Sequence, residues 1–187
     1  YCDVLAIRTF AQQELIEYAE WASIPVVNAL TDLEHPCQAL ADFMTMQEAF
    51  GNLKGKTISY IGDGNNVANS LMLCGSILGL NVRIITPKGF EPDPSVLAKA
   101  QSQSLKLGTS VEIFNNPIEG VKGANALYTD VWASMGQEEE YLKRKEIFEK
   151  FKVDQKLIEL ANDQVMILHC LPAHRGEEIT EEALESK

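Results

Sequence analysis

The stretch His169-Cys170-Leu171-Pro172-Ala173-His174-Arg175-Gly176 delivers a thiol, two imidazoles and a guanidinium at one turn, directly after the apolar run Val165-Met166-Ile167-Leu168. A run that short reads as a buried strand of a parallel sheet, and such strands carry ligand-handling groups at their carboxyl ends. Taken alone, Cys170 reads better as a small buried hydrophobe and Pro172 as a loop marker. Asp130 stands in the same relation to a second strand, Ala126 to Thr129, and Ser134-Met135-Gly136 follows it. A carboxylate at a strand end, with a glycine-containing loop beyond it, suits an ammonium group. Read singly, Asp130 is a cap or turn residue.

Gly62-Asp63-Gly64-Asn65-Asn66-Val67 follows a third strand. Glycines there let a helix N-terminus approach a phosphate, as in dinucleotide sites. The third glycine of that fingerprint is replaced by Val67, and the next strand ends in Thr86-Pro87 without an acidic residue for a ribose. A small polar ligand fits the pattern better than a nicotinamide cofactor, with helix capping the competing role for Asn65 and Asn66. His35 and Gln38 flank Pro36 at the start of another helix, where capping again competes with a site. Arg8 and Arg175, near strand ends, are the candidate positive charges for a negatively charged substrate group.

Strands read at Val4 to Ile7, Pro25 to Ala29, Thr57 to Ile61, Asn81 to Thr86, Val111 to Phe114, Ala126 to Thr129 and Val165 to Leu168. Helical spacing fills Gln12 to Ala22, Pro36 to Phe50, Val67 to Leu78 and Pro94 to Leu107, with Leu40, Phe43, Met44 and Gln47 at core-facing intervals. Alternation of this kind implies right-handed crossovers and an α/β fold with a doubly wound parallel sheet, Rossmann-like. The glycines and polar residues of Gly51-Asn52-Leu53-Lys54-Gly55-Lys56 mark a hinge. They divide the chain into 51–187, a complete α/β domain, and 1–50, the last part of a second α/β domain.

The 187 residues are 45% hydrophobic and 23% charged, the composition of an ordinary globular chain. A net charge of −11 argues against nucleic acid as a partner, and no apolar run approaches the length of a membrane span. The acidic runs Glu138-Glu139-Glu140 and Glu177 to Glu185 read as solvated helix faces. Cys2, Cys37, Cys74 and Cys170 have no paired spacing, which indicates reduced thiols. Zinc is not expected, because His169, Cys170 and His174 have no counterpart at structural-site spacing. The chain opens almost inside a strand and without methionine, so a missing targeting segment carries no information.

His35-Pro36-Cys37-Gln38, Gly62-Asp63-Gly64-Asn65-Asn66-Val67, Asp130-Val131-Trp132-Ala133-Ser134-Met135-Gly136-Gln137-Glu138 and His169-Cys170-Leu171-Pro172 occur in one order along the chain. Together they resemble the ornithine carbamoyltransferases of the aspartate/ornithine carbamoyltransferase superfamily, over nearly the whole chain. The resemblance implies carbamoyl transfer from carbamoyl phosphate to the side-chain amine of L-ornithine, giving citrulline and phosphate in arginine metabolism, in either a biosynthetic or a catabolic role. It implies no cofactor and no metal, a cytoplasmic enzyme with the mitochondrial matrix as alternative, and a homotrimer or multiple of trimers.

By the same resemblance, Arg8, His35 and Gln38 surround the carbamoyl oxygen, where an oxyanion needs donors. Asn66, Asp130, Ser134 and Met135 hold the amino-acid end of ornithine. Cys170 adjoins the reacting amine, as a thiolate base or a positioning group, and the Leu171 carbonyl holds the carbamoyl NH2. The amine resembles that of Lys, with a pKa of about 10.4, and must lose its proton before attacking.

The family's phosphate-binding Ser-x-Arg-Thr-Arg element is absent; Ala6-Ile7-Arg8-Thr9-Phe10 lacks its serine and final arginine. The closing C-terminal helix and its arginine are absent too. An incomplete enzyme is therefore expected, negligible in turnover by itself. The alternatives are a carbamoyltransferase for putrescine or N-acetylornithine, a nicotinamide oxidoreductase, and a non-catalytic metabolite-binding module.

Overall fold

The computed structural model describes residues 2–133 and 140–186. A first parallel pair joins β1 (Leu5–Arg8) to β2 (Val26–Leu30) through helix α1 (Gln12–Trp21). The long helix α2 (Pro36–Phe50) then leads into a five-stranded sheet made of β3 (Thr57–Ile61), β4 (Asn81–Ile85), β5 (Val111–Phe114), β6 (Ala126–Thr129) and β7 (Met166–His169). The strands lie in the order β5-β4-β3-β6-β7, all parallel. Chain direction across the sheet reverses between β3 and β6, and at such a reversal the loops at the strands' carboxyl ends part to leave a crevice.

The two faces of the sheet are sorted by the alternation of its strands. Ile58, Tyr60, Val82, Ile84, Ala126 and Tyr128 face α2, helix α3 (Asn66–Leu78) and helix α4 (Pro94–Leu107) in one core. Ile61, Ile85 and Leu127 face a second core that contains Trp132, Phe148 and Phe151. A side chain at Gly75 of α3 would come within 2.6 Å of Val82 Cγ2 and 3.3 Å of Phe43 Cζ, so its absence lets α3 lie close to β4 and α2. Asp93 caps α4 through the Ser95 and Val96 N–H groups, Pro94 occupies its first turn, and left-handed Gly108 ends it.

The α2 core stripe is Ala39, Phe43 and Met46, with Asp42 among them, whereas Leu40 and Met44 are exposed. The expected stripe was displaced because this helix carries apolar residues on two faces, and periodicity alone cannot tell which one is buried. The segment beyond Asp130 is also more helical than the sequence indicates. It forms α6 (Tyr141–Phe148), α7 (Gln155–Ile158) and α8 (Glu181–Leu184), after the short α5 (Pro117–Gly120) between β5 and β6. None of α5, α7 and α8 exceeds one turn, too short for a periodic signal. No helix among the described residues is long and apolar enough to cross a membrane.

Candidate active site

The carboxyl ends of β1, β3, β6 and β7 open into one cavity of about 800 Å³. Arg8, His35 and Gln38 line it on one side, and Asn65, Asn66, Asp130, Cys170 and Leu171 on the other. Ser134 and Met135, also expected there, lie outside the described residues. Arg175 is elsewhere: its guanidinium is held by Glu181 at 3.1 Å and Glu185 at 2.7 Å on the surface. It was expected as a positive charge for substrate because it follows the Cys170 turn, but the turn carries it away from the cavity.

Arg8 is placed by an irregularity. The β1–β2 register shifts between Ile7 and Arg8, so that Ile7 opposes Asn28 and Arg8 opposes Leu30. A bulge re-aims the side chain that follows it. Arg8 has no ion-pair partner among the described residues and stands free to meet an anion.

His35 is the N-cap residue of α2 but makes no side-chain cap bond. Its backbone N–H donates to Ser70 Oγ at 2.7 Å, and its side chain lines the cavity. Burial, helped by the Arg8 guanidinium and opposed by Asp130, holds the imidazole below its ordinary pKa, so it is neutral near pH 7. The loop that carries it is tied to α3 twice more, by Asn66 Nδ2 on the Thr31 carbonyl at 2.7 Å and Asn69 Nδ2 on the Leu33 carbonyl at 3.0 Å. Sequence reasoning missed Asn69 and Ser70, which resemble any other polar residues of a helix. Gln38, expected simply as a donor to substrate, gives its amide nitrogen to Asp42 Oδ1 at 3.0 Å.

Opposite, Asp130 is the hub. Its Oδ1 accepts from Cys170 Sγ at 2.9 Å and the Val131 N–H at 2.8 Å, and its Oδ2 accepts from Asn65 Nδ2 at 2.7 Å. Asn65 Oδ1 meanwhile caps α3 by accepting from the Val67 and Ala68 N–H groups. One asparagine thus serves both as cap and as brace, while Asn66, one residue on, bridges to the Thr31 loop. The helix N-terminus is filled by this side chain, and Gly64 meets protein rather than phosphate: a side chain there would come within 2.3 Å of the Pro92 nitrogen.

Burial and the adjoining Asp130 push the Cys170 thiol above its ordinary pKa, in keeping with the hydrogen bond it donates to Asp130. Its turn is anchored from behind. His169 Nδ1 accepts from the Leu171 N–H at 2.8 Å, which leaves Nε2 to donate to Glu178 Oε1 at 3.0 Å. Glu178 also accepts from the His174 N–H and is fully buried, against the expectation of a solvated acidic face. Leu171 itself sits at φ 59°, in the left-handed region that costs a residue with a side chain about 1–3 kcal/mol. Asp130, His169 and Cys170 bring three metal-capable atoms within 4.8 Å of one another, but both ring nitrogens of His169 are already engaged.

The rim adds groups the sequence did not single out. Asp63, buried, pairs with buried Arg144 at 2.7 Å, and Phe90, Glu91 and Glu140 complete that side. Arg144 is committed to Asp63, Glu140 and the Trp132 carbonyl. Arg8 is therefore the one uncommitted guanidinium among the described cavity residues, whereas Asp32, Asp63, Glu91, Asp130 and Glu140 make the remainder acidic. The lining is complementary to a positive group on its acidic side and to a negative or polarised group beside Arg8.

Residues 54–187 match the Asp/Orn-binding domain of the aspartate/ornithine carbamoyltransferases, and residues 1–48 match their carbamoyl-P-binding domain. The chain belongs to the aspartate/ornithine carbamoyltransferase family. Within that family it is 63% identical over 186 residues to the ornithine carbamoyltransferase of Parasynechococcus marenigrum, covering all of this chain and 58% of that protein. The ornithine carbamoyltransferase of Trichormus variabilis is 59% identical, with 99% of this chain and 60% of the relative covered. Among solved structures, the ornithine carbamoyltransferase of Pyrococcus furiosus superposes with a TM-score of 0.96 at 46% identity, over 100% of this chain and 59% of the other. That of Gloeobacter violaceus gives 0.93 at 49% identity, over 100% and 62%. The chain thus spans somewhat under two thirds of the length of these carbamoyltransferases.

Proposed function

We propose that the cavity is the place where a carbamoyl group passes from carbamoyl phosphate to the side-chain amine of L-ornithine, giving L-citrulline and phosphate. The observation that carries this reading is the Cys170–Asp130–Asn65 hydrogen-bonded set facing Arg8 and His35 across one cavity. Arg8 and neutral His35 are donors for the carbamoyl oxygen as it gains negative charge in the tetrahedral transition state. Asp130, buried and held on both oxygens, offsets the ammonium of the amino acid; Asn66, with Ser134 and Met135, completes that end. Cys170 and the Leu171 carbonyl border the reacting nitrogen and the carbamoyl NH2.

Held as a thiol on Asp130, Cys170 is a donor and cannot take up the ammonium proton, which passes to water before attack while Cys170 and Asp130 position the amine. The amine attacks once neutral, the bond from carbon to phosphate oxygen breaks, and phosphate leaves. No covalent enzyme intermediate is needed. Residues 1–50 form the end of the carbamoyl phosphate domain and residues 51–187 the ornithine domain. With Arg8 as the one uncommitted guanidinium among the described cavity residues, the phosphate requires further cations, and the active unit is the full-length protein, acting as a homotrimer or multiple of trimers in the cytoplasm. The bacterial relatives support that location.

Steady-state citrulline formation by the full-length protein, unsubstituted and as Asp130→Asn, tests the reading. Loss of a buried charge-assisted contact of about 2–3 kcal/mol raises the KM for ornithine by some thirty- to hundredfold. An unchanged KM would show that Asp130 does not hold the amine.

A further inference from the structure

Asp42 projects from α2 into the core between that helix and the sheet and is 6% exposed. A carboxylate so placed costs stability unless its oxygens are satisfied. Only one is: Oδ1 accepts from Gln38 Nε2 at 3.0 Å, while Oδ2 has no hydrogen-bond partner among the described residues. The buried Tyr128 hydroxyl lies beside it, outside regular hydrogen-bond geometry but close enough to favour its charged form against burial, which raises its pKa. Nothing in the packing of α2 asks for a charge at this position, since its stripe neighbours Ala39, Phe43 and Met46 are all apolar.

What the carboxylate does determine is the orientation of an amide. An ionised Asp offers acceptors only, so the side of Gln38 that meets it must be the nitrogen, and Oε1 is the end left over. Gln38 lines the cavity on the Arg8 and His35 side. Resting on the carbamoyl-transfer reading above, we propose that Asp42 is a positioning residue of the transfer reaction: by holding Gln38 Nε2 it makes Gln38 Oε1 an acceptor in the cavity, one that selects a substrate NH2 group. This changes the role expected for Gln38, from a donor to the carbamoyl oxygen to an acceptor for the carbamoyl nitrogen. Arg8 and His35 remain the donors, and donors and acceptors are thereby sorted to the two ends of a planar O=C–NH2 group. An analogue with methyl in place of NH2 has nothing to give the acceptor, which is how a site built for a hydrogen bond rejects it.

The test uses full-length Asp42→Asn, in which the new amide can meet either end of Gln38. Citrulline formation is followed with carbamoyl phosphate as substrate and acetyl phosphate as competitive inhibitor. The expected results are a loss of about tenfold or more in kcat/KM for carbamoyl phosphate, a comparable narrowing of the preference for carbamoyl over acetyl phosphate, and a KM for ornithine within about twofold. In a Gln38→Ala background the same change should cost under about twofold, because its effect passes through Gln38. The Tm should not fall, since a half-satisfied buried carboxylate has been removed. Asp42→Ala provides the same readouts if the asparagine variant folds poorly. Unaltered discrimination against acetyl phosphate, or full additivity with Gln38→Ala, would overturn the proposal. Absence of citrulline from the unsubstituted enzyme would instead overturn the transfer reading on which it rests.

Discussion

The Cys170 thiol donates to Asp130 Oδ1 at 2.9 Å, so the cysteine at the end of β7 is held as a thiol by the carboxylate at the end of β6. Alkylation reads this directly, because only the thiolate reacts. At pH 8, iodoacetamide should label exposed Cys2 and Cys37 while Cys170 resists. Asp130→Asn removes the adjoining charge and should speed labelling of Cys170 by about tenfold for each unit its pKa falls. Labelling of Cys170 as fast as that of Cys2 in the unsubstituted protein would contradict this.

Asn65 joins the start of α3 to Asp130. Asn65→Ala removes the cap and leaves Asp130 Oδ2 without its donor, at a cost of about 2 kcal/mol or more in urea unfolding. Asn65→Asp keeps the capping oxygen but sets a second carboxylate against Asp130, and should be no more stable than the alanine variant. Full stability of either variant would mean that the brace contributes nothing.

Much of this arrangement was legible in the sequence, because the strands are short apolar runs punctuated by glycine, and the chemistry-bearing residues follow β3, β6 and β7 directly. The bracing residues were not. Arg144 reads as one more charge in the run Lys143-Arg144-Lys145, yet it is buried against Asp63. Glu178 sits in an acidic tail but faces His169 inside the fold. Periodicity reports which face a helix turns inward, not which charge a distant loop will bury. Asn65 was legible as the stronger capping candidate of the two asparagines, but its brace on Asp130 and the bridge from Asn66 to Thr31 depend on residues far away in the chain.

The buried Arg144–Asp63 pair fixes the first residues after β3 to α6. Arg144→Met strands Asp63, whose pKa burial already pushes up against the opposing guanidinium, and should destabilise the protein by about 3–5 kcal/mol. Replacing both partners, with Asp63→Leu added, should recover most of the loss. Equal destabilisation in the single and double variants would show that packing, not charge, is at stake.

His35 gives a pH signature. Burial lowers its folded pKa beneath the ordinary value of 6.5, so the unfolded chain takes up the proton more readily. The stability this neutral imidazole contributes is complete above the ordinary value and declines as pH falls through the folded one. The advantage of the unsubstituted protein over His35→Gln should therefore shrink from about pH 7 to about pH 5. An advantage that grows with acidity would mean the imidazole is held as a cation.

The most direct measurement supplies the full-length protein with carbamoyl phosphate labelled in its carbamoyl carbon and with L-ornithine, putrescine and N-acetylornithine in competition, and follows which amine takes up the label. Label should pass overwhelmingly to citrulline, because the proposed reaction has Asp130 hold the free α-ammonium of ornithine. Preferential labelling of putrescine or N-acetylornithine would contradict the role given to Asp130, and transfer to none of the three would contradict the proposed reaction itself.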